Sequence, residues 1–267
     1  MKKLEKELED LIVDKYLNGF SNQFLSSTFN LNRGTIQRVL KRNNVKLHKN
    51  KSILVCNERF FDEYTKESCY WAGFILADGY LRKDSPTLHI KLSKKDIEHL
   101  HNFLKCLDCE KDIVKKYLDC CYVDICKENI YYSLNNNFEI HSRKTFTSKI
   151  SNKIPEKYIL DFIRGYFDGD GSITGKKYTR INFIGTQQTL NFIIDYFFNK
   201  NIRIKRSKKN LSGKPPIHKV NGSEIIGIIS YGCANAESIL NLLYQGSYEK
   251  TRLKRKYELF KNIDQIS

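Results

Sequence analysis

Tyr70-Trp71-Ala72-Gly73-Phe74-Ile75-Leu76-Ala77-Asp78-Gly79-Tyr80-Leu81 returns as Phe162-Ile163-Arg164-Gly165-Tyr166-Phe167-Asp168-Gly169-Asp170-Gly171-Ser172-Ile173, at an offset of 92 residues. Both copies are short and apolar, with small residues four apart: Gly73 and Ala77 in one, Gly165 and Gly169 in the other. Residues at that spacing share a helix face, and small ones let a second backbone approach closely. Glycine inside a helix costs about 0.5–1 kcal/mol relative to alanine, so close contact is the expected compensation. The two motif helices are expected to pack on each other through these four residues.

Such packing would bring Asp78 and Asp170 together at the helix ends, each before a glycine, Gly79 or Gly171, suited to the left-handed helix-ending position. A carboxylate there opposes the helix dipole, and a second beside it adds repulsion, together about 1–3 kcal/mol without a counter-ion. A divalent cation removes both penalties. Oxygen ligands with room for water suit Mg²⁺ rather than zinc or copper, and a DNA phosphate could complete the coordination for in-line hydrolysis by water. Asp-Gly is also an ordinary turn dipeptide, but it rarely repeats behind matched helices.

The match continues past each copy. Residues 88–92 and 180–185 read as strands, followed by helices at 95–107, with Ile97, Leu100 and Leu104 inward, and at 187–199, with Leu190, Ile193 and Phe197 inward. Further strands are expected at 112–117, 122–126 and 131–140, and at 202–206, 217–220 and 225–231, with 135–137 and 210–213 as turns. Two similar α/β halves thus share the chain.

The first fifty residues read differently. Leu4, Leu8, Leu11 and Ile12 recur at helical spacing up to a stop at Asn18-Gly19; Ser21 can cap a second helix carrying Phe24 and Leu25; Asn32 can cap a third, with Ile36, Val39 and Leu40 on one face. The other face of the third helix bears Arg33, Thr35, Gln37, Arg38, Lys41 and Arg42. This is the layout of a helix-turn-helix whose last helix enters the major groove; a small bundle with a solvated outer face is the plainer alternative. Residues 41–51 read as a basic linker.

Composition agrees with a nucleic-acid partner. The 267 residues are 40% hydrophobic and 12% aromatic, enough for a packed core, and 46 Lys plus Arg against 30 Asp plus Glu leave a charge of +16. No stretch approaches the roughly 18 apolar residues of a membrane span, and the charged start is unlike a signal peptide, so an intracellular protein with no membrane partner is expected. Cys106-x2-Cys109 with Cys120, Cys121 and Cys126 lacks the second Cys-x2-Cys of a convincing zinc site; small buried thiols are the preferred reading.

The two copies resemble the paired motifs of single-chain LAGLIDADG homing endonucleases. Beyond the motifs the resemblance runs over about residues 57–262, through Asp96-Ile97-Glu98-His99-Leu100, Gly185-Thr186, Leu242-Leu243-Tyr244 and Leu253-Lys254-Arg255-Lys256-Tyr257-Glu258-Leu259-Phe260. It implies an α+β fold of two pseudo-symmetric αββαββα halves forming a DNA-binding saddle, with the helix-turn-helix as an added all-α domain. The expected domains are residues 1–50, 57–158 and 159–264.

The resemblance also implies a monomer acting as a pseudo-dimer. Such an enzyme cuts both strands of a long double-stranded DNA site, using two or three Mg²⁺ held by Asp78 and Asp170 with the backbone at Gly79 and Gly171. Leu76 and Trp71, and Arg164 and Gly169, depart from the family's motif letters, and Asp168 reads as structural. Lys254 matches a lysine of the family's C-terminal signature that acts near the metals; its first-half counterpart is Lys144 or Lys153. A basic ribbon over residues 200–219 is expected to lie in a groove, making Arg203, Lys205, Arg206, Lys208 and Lys209, with Gln187 and Gln188, candidate DNA contacts. An intron-encoded homing nuclease is preferred; the kept acids weigh against a non-cleaving regulator and the lack of flanking splicing residues against an intein, while an intron maturase, which would bind RNA, could keep both acids.

Overall fold

A computed structural model describes residues 4–17, 22–45, 54–142, 144–175, 178–205, 207, 210–220 and 222–263. The chain divides into two compact units, one ending at Leu54 and the other starting at Val55. Among the described residues no helix is long and apolar enough to cross a membrane.

The first unit contains α1 (Lys6–Leu17), α2 (Asn22–Thr28) and α3 (Arg33–Arg42). Their core is Ile12, Tyr16, Leu25, Ile36, Val39 and Leu40, and Leu11 stays exposed. The Asn32 side chain accepts a hydrogen bond from Gly34 N at 2.8 Å, which caps α3. The stop at Asn18-Gly19, the Ser21 cap and residues 46–51 of the linker lie outside the described residues.

The second unit holds both halves of the repeat. The first runs α4 (Lys66–Asp78), β1 (Gly79–Leu81), β2 (Leu88–Ser93), α5 (Ile97–Cys106), β3 (Lys115–Tyr117), β4 (Cys120–Ile125) and α6 (Glu128–Phe138). The second runs α7 (Glu156–Asp170), β5 (Gly171–Thr174), β6 (Arg180–Thr186), α8 (Gln187–Asn199), β7 (His218–Lys219), β8 (Ile226–Gly232) and α9 (Cys233–Tyr244), followed by α10 (Lys254–Ile263). Both are αββαββα, and their four-stranded antiparallel sheets have matching orders, β1-β2-β4-β3 and β5-β6-β8-β7.

Alternation along the strands decides what each sheet buries. Leu88, Ile90, Leu92, Cys121, Val123 and Ile125 point into the first core, and Ile181, Phe183, Ile229 and Tyr231 into the second. Aligned from the glycine after each motif aspartate, the outward residues form equivalent rows. Tyr80–His89–Asp124 corresponds to Ser172–Asn182–Ser230, and Lys91–Tyr122–Lys115 to Ile184–Ile228–His218.

Three sequence expectations need correction. Residues 131–138 of the expected 131–140 strand form helix, ended by left-handed Glu139: Ile130, Leu134 and Phe138 are buried at i, i+4 spacing, and Asn137 inside α6 donates to Phe61 O at 2.9 Å. The described part of 202–206 is not a ladder strand; the excursion is an irregular loop closed by Ile204 N to Gly213 O at 2.9 Å and a Ser207–Asn210 bridge. Gly79 and Gly171 are extended, with φ −80° and −86°, rather than left-handed. Glycine is needed there for space: a Cβ would fall 2.7 Å from Ile75 Cγ2 at Gly79 and 2.2 Å from Phe167 Cδ2 at Gly171.

Candidate active site

The site begins with the seam between α4 and α7. A Cβ on Gly73 would lie 2.0 Å from Phe162 O, and one on Gly165 1.9 Å from Tyr70 O. The backbones therefore touch at both glycines, where any side chain would force the helices apart. Tyr70, Trp71, Phe74, Phe162, Tyr166 and Phe167 flank the contact fully buried, each contributing about 1.5–3 kcal/mol. Thr65 fixes the start of α4 through a capping box, with Ser68 N to Thr65 Oγ1 at 3.0 Å and Thr65 N to Ser68 Oγ at 2.8 Å.

The seam carries both motif aspartates to one place. A Cβ on Gly169 would meet Ala77 Cβ at 2.3 Å and lie 3.5 Å from Asp78 Cγ, so Asp78 sits against the last turn of α7, beside Asp170. Burial and the Asp78 charge push Asp170 up to about 6, against the opposing pull of Lys144 and Lys256. Burial raises Asp78 too, and the same two lysines oppose it. The Asp78 side chain nevertheless keeps solvent-accessible surface. A carboxylate crowded by the seam on one side and open to solvent on the other satisfies both observations, and solvent limits the shift.

One lysine closes each helix end. Lys144 Nζ donates to Leu76 O and, at 2.9 Å, to Ala77 O. Lys256 Nζ donates to Phe167 O at 2.5 Å, Asp168 O at 2.9 Å, Gly169 O at 3.4 Å and Gly171 O at 2.5 Å. Both thus meet the carbonyls that a helix C-terminus leaves unpaired. Burial brings each ammonium down to about 8; Asp170 and Asp78 hold Lys144 from falling further, and for Lys256 Asp168 leads that opposition.

Lys256 is the residue that sequence reasoning missed. Lys254, chosen in its place, is exposed and paired with Glu98 at 3.3 Å. The phase of α10 could have found it: Lys256 lies three residues after buried Leu253 and four before buried Phe260, on the inward face. Lys153 donates to Asn136 O at 2.7 Å rather than at the seam. Gly171, expected as a metal-side backbone group, gives its carbonyl to Lys256, while Gly79 opens β1 opposite Ile90.

Asp168 is wholly internal. It accepts Tyr70 Oη at 2.7 Å, Tyr244 Oη at 2.5 Å and Leu253 N at 2.7 Å, which anchors the entry to α10 and so the placement of Lys256. Arg164 is likewise buried, donating to Thr251 O at 2.9 Å and Asp161 Oδ1 at 2.7 Å.

The expected contact residues scatter more widely. Gln187 and Gln188 are exposed on the first turn of α8, in the helix layer rather than among the outward sheet residues. Arg203 is exposed over the Phe198 ring at 4.5 Å and Lys205 is exposed in the same loop; Arg206, Lys208 and Lys209 lie outside the described residues. In the first unit Arg33, Gln37 and Arg38 are exposed on α3, but Arg42 is tied to Glu9 of α1 at 2.9 Å.

Among the described residues no group of three or more His, Cys, Asp and Glu side chains is placed to hold a metal. A cation at Asp78 and Asp170 would draw its remaining ligands from outside the chain's side chains.

No protein-family model and no curated protein matches the sequence. Solved structures do. A double lysine-to-alanine variant of I-SmaMI superposes with a TM-score of 0.50 at 10% sequence identity, over 76% of this chain and 90% of that one. The fold is that of I-SmaMI. That protein is described as a LAGLIDADG homing endonuclease in its structure bound to cleaved DNA. I-GzeII, a LAGLIDADG homing endonuclease in complex with its DNA target, gives 0.47 at 13% identity over 76% and 89% of the two chains. Variants of the homing endonuclease I-DmoI give 0.45 at 15% over 68% and 97%.

Proposed function

We propose that the chain is a site-specific DNA endonuclease of the LAGLIDADG homing type, which makes a double-strand break at a long target as a monomer. The observation that carries this reading is the meeting of Asp78 and Asp170 at the end of the glycine seam, with one helix-capping lysine on each side. Divided into domains, residues 1–50 would be an added DNA-binding module and 57–158 and 159–264 the two halves.

Mg²⁺ fits the donor set, since the available groups are hard carboxylate oxygens and the Asp78 charge raises the cost of ionising Asp170. Asp78 and Asp170 would hold the ions, two or three in all, with phosphate oxygens and water as the other ligands. When bound, the metal supplies a water of lowered pKa and neutralises charge developing on phosphorus. Lys144 and Lys256 favour the ionised aspartates and present positive charge to the phosphate at a fixed place. The outward sheet rows, with Arg203 and Lys205, would contact DNA, and Arg206, Lys208 and Lys209 would extend that loop's basic run.

In the first unit, α3 would act as the recognition helix of a helix-turn-helix, with Arg33, Gln37 and Arg38 toward a major groove flanking the cut. Retention of both acids weighs against a non-cleaving regulator. The test is incubation of DNA spanning the empty insertion site of the gene with wild type, Asp78→Asn and Asp170→Asn, in Mg²⁺ or EDTA. Wild type is expected to give double-strand breaks only with Mg²⁺, and each variant to bind but hardly cut. Full cutting by either variant would reject the assignment.

A further inference from the structure

The two sheets present equivalent backbones with opposite outward chemistry. In the first sheet, Asp124 accepts from His89 Nδ1 at 2.9 Å and Arg82 at 3.0 Å, with Lys115 Nζ at 3.6 Å; Lys91 projects beside Tyr122 in the next row. In the second sheet the matching centre is a neutral chain, Ser230 Oγ to Asn182 Oδ1 at 2.6 Å and Asn182 Nδ2 to Ser172 Oγ at 3.0 Å. Where the first sheet has Lys91 and Tyr122, the second has Ile184 and Ile228, both half-buried on the outward face. Formal charge is pushed to the margins of this second surface, at Arg180 and the β7 edge.

Base edges in the major groove distinguish these chemistries. Guanine offers two acceptors, O6 and N7, to Lys or Arg; thymine offers a methyl group to apolar side chains, and adenine pairs bidentately with Asn. Asp124 holds Arg82 and His89 in place, so their donors are pre-oriented rather than free to follow phosphates. The second surface can supply apolar contact and amide pairing but no central cation.

We propose that the two arms of the target differ in kind: the arm under the first half is read at guanines through Lys91 and Arg82, and the arm under the second half at A·T pairs through Ile184, Ile228 and Asn182. This rests on the endonuclease reading. The strand register, Gly79 opposite Ile90 and Gly171 opposite Phe183, puts Lys91 and Ile184 level with the motif aspartates and so next to the cut, with the Tyr80–His89 and Ser172–Asn182 rows one step farther out.

The test is selection of the full chain on a randomised duplex library with Ca²⁺ in place of Mg²⁺, followed by base-analogue substitution in the selected site. Lys91→Ala and Ile184→Ala identify the arms by the positions at which each relaxes preference. For wild type, 7-deazaguanine, which lacks the N7 acceptor, is expected to weaken binding about 5- to 100-fold in the Lys91 arm. Uracil for thymine is expected to weaken it by a similar factor only in the Ile184 arm. The contrast between arms is read on wild type alone, guanine-N7 sensitivity in one and thymine-methyl sensitivity in the other, so a variant that fails to fold leaves the asymmetry testable. Equal analogue sensitivity in both arms, or guanines specified in the Ile184 arm, would overturn the asymmetry while leaving the nuclease assignment standing. Failure to enrich any site would overturn both.

Discussion

The two halves of the repeat agree at the helix ends and disagree on the sheet faces. Asp78 with Lys144 and Asp170 with Lys256 are the same construction made twice, a carboxylate at a helix terminus whose carbonyls a buried ammonium caps. A few residues farther on, Tyr80–His89–Asp124 has become Ser172–Asn182–Ser230. The difference stems from what each part touches. The helix ends meet each other across a contact with no room for a Cβ, so they must match. The outward rows never meet, each facing its own stretch of partner, so they are free to diverge.

If the helix ends form one shared centre, Asp78→Asn and Asp170→Asn should each lower the cleavage rate by at least about 10³-fold, roughly 4 kcal/mol in the barrier, and by similar factors. Rates measured on one duplex decide it, and a variant that retained most of its rate would break the equivalence. Next in size is the seam. Gly73→Ala and Gly165→Ala should each cost more than about 3 kcal/mol by urea denaturation, because each new methyl meets backbone rather than a movable side chain.

The capping lysines sharpen the comparison, since Lys256 engages four carbonyls and Lys144 two. Lys256→Met should destabilise by about 2–3 kcal/mol and Lys144→Met by about 1–2 kcal/mol, and the reverse order in denaturation midpoints would contradict the geometry.

The smallest effect is a pH dependence without metal. Asp170, with a pKa of about 6, still binds a proton where an unfolded aspartate, with a pKa of about 3.9, has released it. Stability in EDTA should therefore fall as pH rises from about 4 to 6. Asp170→Asn should be more stable than wild type by about 2 kcal/mol at pH 7.5, with the gain vanishing below about pH 4; urea melts across that range check the sign.

Much of this was legible from the repeat itself. A 92-residue spacing of Gly-x3-small and Asp-Gly demanded a helix pair and placed Asp78 and Asp170 at its end. What could not be read depended on tertiary context. Three consecutive basic residues, Lys254 to Lys256, look alike until Asp168 anchors Leu253 N and sets the phase of α10. The asparagines at 135–137 suggested a turn, whereas burial of Ile130, Leu134 and Phe138 and the Asn137 bond to Phe61 O outweigh local preference. Gly79 and Gly171 suggested left-handed caps because neither crowding by Ile75 nor by Phe167 is visible in one dimension.

Two carboxylates are held together at the seam, on this reading, because a divalent cation joins them. The direct measurement is thermal unfolding of wild type and of the Asp78→Asn, Asp170→Asn double variant at pH 7.5, from EDTA to about 10 mM Mg²⁺. With millimolar affinity for the folded state alone, Mg²⁺ should raise the wild-type Tm by about 3–5 °C and leave the double variant unmoved. An equal rise in both proteins, or none in wild type, would contradict a shared metal centre.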